Sequence, residues 1–538
     1  MADPDRLEAD VIVVGAGSAG CVLAGTLARD PACRVLLIEA GGRDWNPLLR
    51  VPLMTGMLLR GRHANWFYHS APEPGLDGRR IFWPRGKVLG GSSAINGMVW
   101  LRGVPEDYEG WAQRGLPGWG WDHVLPAFRA LEAHWTGESD LHGAAGPQPV
   151  TRPAGMHPLS QAFLEAALQA GLPPLDNLNA PVAEGVGRID FTIAGGRRVS
   201  AAQACLHPLR GRANLRILTG AQALRVILDG DRATGVEVLH RGRPRACMAA
   251  RDVVLAGGTV NTPQLLMLSG IGAPAALEPH GIPVRHDLPG VGRNLQDHLL
   301  VRVEHDCTEP VTLQRLMRFD RAGAALARAL LFATGPAARF PLEVGALIRS
   351  DPGREIADLQ AFFLPGLSTA ALRLPFRPNP AGGHGFFANV YQLRPESRGE
   401  IALASADPLA APVIRANYLT APADIATLRA GVRRLRGIFA QSAFARWRGA
   451  ERSPGPARQS DADLDAWIRA TASTVFHPVG SCRMGTDSMA VTDAELRVHG
   501  IAGLRIADAS VMPTLPGCNT NAPSMMIGLR AAGFIAAP

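Results

Sequence analysis

Residues 10–41 read DVIVVGAGSAGCVLAGTLARDPACRVLLIEAG, and their order decides the fold. An apolar run at 11–14 enters Gly15-x-Gly17-x-x-Gly20. A small-residue helix pattern follows, then a second apolar run at 35–38 that ends in Glu39. The order is strand, glycine turn, helix, strand, acid. Gly15 permits the tight turn, Gly17 lets backbone approach a pyrophosphate at the helix N-terminus, and Gly20 lets helix and strand pack closely. Glu39 falls 19 residues after Gly20, where a carboxylate accepts hydrogen bonds from an adenosine ribose. A glycine triplet alone is weak evidence. Flanked by both strands and the acid, it predicts a dinucleotide site.

Three more segments have the character of cofactor machinery. PRGKVLGGSSAINGMVW (84–100) crowds glycines, serines and Asn96 together, a composition that brings backbone amides and hydroxyls to a ligand. VVLAGG (253–258) is a buried-type strand ending in glycines. LRIADAS (504–510) is a strand pattern ending in Asp508, a carboxylate placed to accept from sugar-alcohol hydroxyls such as a ribityl chain. A cofactor touched by both chain ends is long and buried, which favours FAD over NAD. Between these segments lie an Arg-rich helical pattern at 424–440 and an alternating run at 399–404. The expected organisation is a discontinuous nucleotide-binding domain with a substrate domain inserted in it. The cofactor parts are 1–155, 196–300 and 471–538, and the substrate parts are 156–195 and 301–470.

Composition narrows the class further. At 538 residues the chain exceeds one small core, and 47% hydrophobic with 19% charged residues is globular. No long uncharged apolar stretch indicates a membrane span. The start, MADPDRLEAD, lacks the features of a secretory signal. Seven scattered cysteines without metal spacing suggest reduced thiols in a cytoplasmic protein, and no metal site is expected. The net charge of +8 does not argue for nucleic acid: Lys87 is the only lysine among 55 basic residues, and the arginines form no dense tract. The segment LQRLMRFDRAGAALARALLF (313–332) has helical apolar spacing. It is read as an amphipathic helix over the substrate domain; peripheral contact with the inner membrane face is the alternative. Nothing in the sequence signals an oligomeric state.

Taken together, the motifs closely resemble the glucose–methanol–choline (GMC) oxidoreductase family, and nearest its choline dehydrogenase-like and alkanol dehydrogenase-like bacterial branch. The resemblance rests on the opening fingerprint, GKVLGGSSAINGM (86–98), GGTVNTPQLLMLSGIG (257–272), LPGVGRNLQDH (288–298), HPVGSCRMG (477–485) and NTNAPSMMIG (519–528). It implies an α/β fold with an α+β substrate part. A Rossmann-like FAD domain would carry an inserted domain built on an antiparallel sheet flanked by helices. It also implies oxidation of an alcohol, with hydride passing to flavin N5 and O2 or a quinone as electron acceptor. Members that bind FAD covalently do so through a histidine in the serine–asparagine loop. Residues 92–96 contain none, so the FAD is expected to be non-covalent.

The expected cofactor contacts are Gly15, Gly17, Ser18, Ala19, Gly20, Glu39 and Ala40 at the first turn. Val88, Gly91, Ser92, Asn96, Gly97, Met98 and Val99 follow in the second segment, then Ala223. Asp508, Ala509, Asn521 and Pro523 complete the set near the C-terminus. His477, restrained by the proline after it, is the expected base for the alcohol proton. Asn519 is expected to donate a hydrogen bond to the same oxygen. His298 is read as a satisfied structural residue, and Cys482 and Cys518 as small buried residues. Trp66 is a candidate for the substrate pocket, with a core aromatic as its alternative. Glu343 matches an acid of the choline dehydrogenase-like branch and is expected to meet a polar substrate end or pair with an arginine. Choline would want an aromatic cage plus an acid. With four tyrosines no cage can be assembled from sequence. A primary aliphatic or aromatic alcohol is therefore the leading substrate. Choline, a sugar, or a non-redox hydroxynitrile lyase reaction on the same scaffold stand as alternatives.

Overall fold

A computed structural model of the chain describes residues 7–182, 184–379 and 381–536. Two large sheets dominate it. The first has the strand order Leu215–Thr219, Val35–Glu39, Leu7–Val14, Arg243–Leu255, Arg232–His240, Ala221–Asp229, and Leu504–Ile506 also pairs with Arg243–Leu255. Val11, Ile12 and Val13 are each 0% exposed in the middle of it. A parallel strand covered on both faces needs such an unbroken apolar run, and each such side chain contributes roughly 1.5–3 kcal/mol by burial.

The pairings of Leu7–Val14 with Val35–Glu39 and Arg243–Leu255, and of the latter with Leu504–Ile506, are all parallel. Val14 is level with Ile38 and Leu255, and Leu255 with Ile506. The glycine turn, Glu39, the Ala256–Gly257 corner and Asp508 therefore all emerge at one carboxyl edge. Open α/β sheets bind ligands at that edge. The turn itself is tight. Gly15 has φ +108°, and a Cβ there would lie 2.3 Å from the Ala256 carbonyl oxygen. A Cβ on Gly20 would lie 1.9 Å from the Gly15 carbonyl oxygen, so the helix Ser18–Leu27 approaches the strand end only because residue 20 is glycine.

The second sheet runs Arg448–Ser453, Leu299–Cys307, Gly385–Gln392, Leu359–Leu364, Val344–Ile348, Gly185–Arg188, Pro174–Leu175. It is antiparallel except at the last pair. Side chains alternate between faces along each strand. Val301, Val303, Leu359, Ala361, Phe363, Ala388 and Val390 point into a core shared with Leu428, Val432 and Leu435 of helix Pro422–Phe439. Their neighbours Leu300, Arg302, Phe362, Asn389 and Tyr391 take the other face, toward the cavity described below.

The segment 313–332 is not one helix. A 3-10 turn, Leu313–Met317, and the helix Phe319–Phe332 are separated by Arg318 in extended conformation. The helix lays Ala325 and Ala329 on a small cluster with Val51, Ala337 and Ala338, and leaves Phe319, Leu331 and Phe332 exposed. Among the described residues no helix is long and apolar enough to cross a membrane. All seven cysteines are buried free thiols.

Gly15→Ala is expected to destabilise the chain by roughly 1–3 kcal/mol, the cost of holding a non-glycine residue in a sparsely populated backbone region. The loss should appear in the urea unfolding midpoint, together with less flavin bound per chain.

Candidate active site

A cavity of about 620 Å³ runs from the glycine turn and Glu39, along the 91–99 loop and Asp508, to His477 and Asn519. That volume lies within the usual range of ligand and cofactor sites. At one end, helices Ser18–Leu27 and Asn521–Ala536 both begin at the cavity wall. Ser18 Oγ donates to Asn521 Oδ1 at 2.8 Å, tying the two N-termini together. A Cβ on Gly17 would meet nothing within 4 Å, so backbone lies open to the cavity there. Unpaired N–H groups and two helix dipoles suit a pyrophosphate.

Glu39 accepts from the backbone N–H of Ala16 (3.0 Å) and Gly41 (2.8 Å). Burial nevertheless pushes its carboxyl up to about 7, offset in part by those two donors and Lys87. Hydroxyls donating from a ribose would stabilise the charged form. Asp508 accepts from Gly258 N–H (2.8 Å), Thr262 Oγ1 (2.6 Å) and Ser510 N–H (2.8 Å), and burial raises it as well. These are sites for an extended dinucleotide with sugar hydroxyls at two points, and the residues present fit FAD. His477 is the only histidine on the wall among the described residues, and no cysteine lies there.

The wall also includes Ala19, Ala40, Gly91, Ser92, Gly97, Met98, Val99, Ala223 and Ala509. Three expected contacts lie behind it. Gly20 packs on the Gly15 carbonyl, Val88 is a buried backbone partner of Gly42, and Pro523 is buried within its helix. Asn96 reaches the wall, but its side-chain oxygen is committed to Met98 N–H (3.0 Å) and Arg198 Nη1 (2.9 Å). Arg198 is 0% exposed and also binds the carbonyls of Leu49 and Asn96 and the Thr55 hydroxyl. This buried cation clamps the loop from behind. Nothing marked it in a chain where almost every basic residue is arginine.

At the other end of the cavity stand His477 and Asn519, with His298 behind them. His298 Nε2 lies 3.1 Å from the Leu393 carbonyl oxygen. A carbonyl only accepts, so the proton of neutral His298 is on Nε2 and its Nδ1 is a lone pair. That lone pair faces His477 Nδ1 at 3.0 Å, so His477 donates Nδ1–H to it. His477 Nε2 is thereby left unprotonated, 3.1 Å from Asn519 Nδ2. Asn519 Oδ1 is buried and has no hydrogen-bond partner among the described residues. One lone pair and one N–H thus meet at a single point on the wall, as an alcohol oxygen about to lose its proton requires.

The backbone of His477 is fixed by Asp297, whose Oδ1 accepts its N–H at 2.8 Å. Asp297 also accepts from the Thr474 and Tyr418 hydroxyls, and burial pushes it up to about 6. Arg85 Nη2 donates to the carbonyl of Phe476 at 2.6 Å, and Phe476 sits at φ +69°. His298 is thus more than the satisfied structural residue expected, because it sets the tautomer of the base. Asp297 was overlooked, although LPGVGRNLQDH carries both residues.

Trp66 lines the cavity, stacked on Tyr68 at 5.7 Å with Lys87 Nζ 4.0 Å from its ring centroid. Glu343 corrects an expectation. It does not line the cavity: its carboxylate accepts from the backbone N–H of His157 at 2.7 Å, and its charge acts on the Arg188 guanidinium, so of the two expectations the contact with a substrate end is the one that fails. Leu342 beside it is on the wall, while the Glu343 carboxylate turns away to the His157 backbone.

This fold and site define a flavin-dependent oxidoreductase. GMC oxidoreductase family models match residues 9–300 and 395–528, and the chain belongs to that family. It is 44% identical to a human mitochondrial choline dehydrogenase over 541 residues, 98% of this chain and 90% of that one. It is likewise 44% identical to an oxygen-dependent choline dehydrogenase of Chromohalobacter salexigens over 534 residues, 98% and 95% of the two chains. Among solved structures, pyridoxine 4-oxidase from Mesorbium loti superposes with a TM-score of 0.88 at 34% identity, covering 98% of each chain. Formate oxidase gives a TM-score of 0.92 at 27% identity, covering 99% of each. The chain is an FAD-dependent enzyme acting on CH–OH groups.

Burial, the neighbouring His298 and the Arg85 guanidinium hold His477 well below the ordinary histidine value of 6.5. Burial drives His298 down to about 3. The base is therefore neutral and able to accept a proton at neutral pH. Flavin reduction should be flat above pH 6.5 and fall only on acidification below it, as followed by anaerobic stopped-flow. His298→Ala frees the His477 ring to take the other tautomer. It should slow reduction by between ~10-fold and the ~10⁴-fold measured for a wrong tautomer elsewhere, with FAD still bound.

Proposed function

We propose that this chain oxidises the primary hydroxyl of a short alcohol with a charged head, yielding the aldehyde. The observation that carries the reading is the chain Leu393 carbonyl, His298, His477, Asn519, which presents an unprotonated Nε2 and an amide N–H at one point of the cavity. Bound FAD supplies the two-electron, hydride-accepting chemistry. His477 Nε2 takes the hydroxyl proton as the carbon loses hydride. Asn519 Nδ2 donates to the same oxygen while it carries developing negative charge. Arg85 and Asp297 hold the Phe476–His477 backbone so that the ring does not have to be oriented during the reaction.

The names of the relatives support choline better than the simple aliphatic or aromatic alcohol expected from the sequence. What those names carry over to this reading is a small alcohol with a charge at the far end, choline being their own case. The bacterial relative is named oxygen-dependent, and two structural relatives are oxidases, which supports O2 over a quinone as acceptor.

The test is anaerobic flavin bleaching by charged-headed alcohols, followed by reoxidation with air or a quinone. His477→Ala should retain FAD and lose at least ~100-fold in reduction rate, the scale of a lost general base. Asn519→Ala should lose less, because water partly replaces a neutral donor. Near wild-type bleaching by His477→Ala would remove the reading.

A further inference from the structure

Charge on the cavity wall is segregated. Its only carboxylates among the described residues are Glu39 and Asp508, both in the cofactor half and both committed to backbone N–H groups. The half beyond His477 carries Arg302 and Arg60 and no acid. Trp66, the wall aromatic best suited to receive a cation, already holds Lys87 over its ring.

The second sheet turns this into an ordered arrangement. His298, Leu300 and Arg302 follow one another on the same face, Leu300 level with Tyr391 and Arg302 level with Asn389. Arg302 lies four positions after His298, about 14 Å along extended chain at ~3.4 Å per residue. His298 touches the base, so Arg302 stands at the far end of the chamber from the reacting hydroxyl. Its guanidinium is aimed by two contacts. Nε donates to Asn389 Oδ1 at 2.9 Å, and the group lies 4.5 Å over the Phe387 ring. Its terminal nitrogens make no hydrogen bond or ion pair among the described residues. Glu304, one same-face step further on, is off the cavity wall and accepts from the Ser368 backbone N–H at 2.8 Å; its charge favours the protonated Arg302 guanidinium, against the effect of burial. Between the two ends, Tyr391 is 0% exposed and its hydroxyl has no hydrogen-bond partner among the described residues.

We infer that Arg302 determines specificity in this chamber, and that the substrate is an alcohol with an anionic head, in its simplest form an ω-hydroxycarboxylate, rather than one with a quaternary ammonium head. The inference rests on the alcohol-oxidation reading above and fixes the sign of the head charge. A planar, pre-aimed guanidinium fork matches a carboxylate bidentately. The same fork repels a trimethylammonium, and the wall of this half carries no acid among the described residues; the Glu304 carboxylate acts on the guanidinium from behind without reaching the wall. Apolar Leu300 and Phe362 suit the methylene chain between the two polar ends.

The experiment compares anaerobic flavin reduction of the holoenzyme by choline, by neutral primary alcohols and by ω-hydroxycarboxylates of increasing length. The best hydroxycarboxylate should exceed both choline and the neutral alcohol of equal length in kcat/KM by at least ~10-fold, the scale of one charge-assisted hydrogen-bonded pair. Arg302→Met should collapse the ratio of carboxylate to neutral alcohol mainly through KM, and Arg302→Glu should shift the preference toward choline. An assay without variants uses the wild-type enzyme with pentanoate and tetramethylammonium. Pentanoate should perturb the flavin absorbance and inhibit competitively, and tetramethylammonium should do neither. Preference of the wild type for choline, tighter binding of tetramethylammonium, or an unchanged ratio in a folded Arg302→Met would overturn the inference while leaving alcohol oxidation standing. Failure of every alcohol to bleach the flavin would overturn both.

Discussion

The hydrogen bond between the Nδ1 atoms of His298 and His477, 3.0 Å long, joins the two halves of this molecule at the point where they must act together. His298 immediately precedes a strand of the substrate-side sheet. His477 lies just after the strand Ser473–Thr474, which pairs with that same strand, and leads into the C-terminal cofactor segment. Two neutral imidazoles in series can satisfy each other in either of two proton arrangements, and the Leu393 carbonyl selects the one in which His477 donates. The base is consequently defined by a backbone oxygen that never meets the substrate, and Asp297 beside it locks the peptide on which the base sits.

The same partition governs electrostatics. The cofactor half spends its acids on the N–H groups of strand and helix ends, where sugar hydroxyls are to be received. The wall beyond His477 carries the guanidinium groups of Arg302, on a sheet face, and Arg60, at a helix end, and no acid among the described residues. Burial works in one direction in both. It raises Glu39, Asp297 and Asp508 and lowers His298 and His477, so each group is biased toward its neutral form. For the carboxylates, donors oppose this bias. For His477 the neighbouring Arg85 reinforces it, which suits a proton acceptor.

The cofactor edge was legible in the sequence because its constraints are local. A glycine turn between two apolar runs and an acid at a strand end are patterns of adjacent residues, and parallel pairing then brings 15–20, 39, 257 and 508 to one edge. That His477 and Asn519 meet at the cavity wall was legible through motif resemblance. What stayed hidden depends on distant strand register and on where a side chain is spent. Glu343 is taken up by the backbone of His157, 186 residues away, and the role of His298 needs Leu393, 95 residues away. Arg198 and Arg302 were invisible for a compositional reason: in a chain with a single lysine, no arginine stands out. The helix expected over 313–332 failed at Arg318, whose extended backbone ends one turn before the next begins.

The most direct test of the account is the protonation state of His477 itself. Nitrogen-15 NMR of the histidine-labelled holoenzyme at neutral pH, assigned with His477→Ala and His298→Ala, reads it. The account predicts a neutral His477 ring with the proton on Nδ1 and a bare Nε2, persisting well below pH 6.5. A ring protonated on Nε2, or an imidazolium at neutral pH, would contradict it.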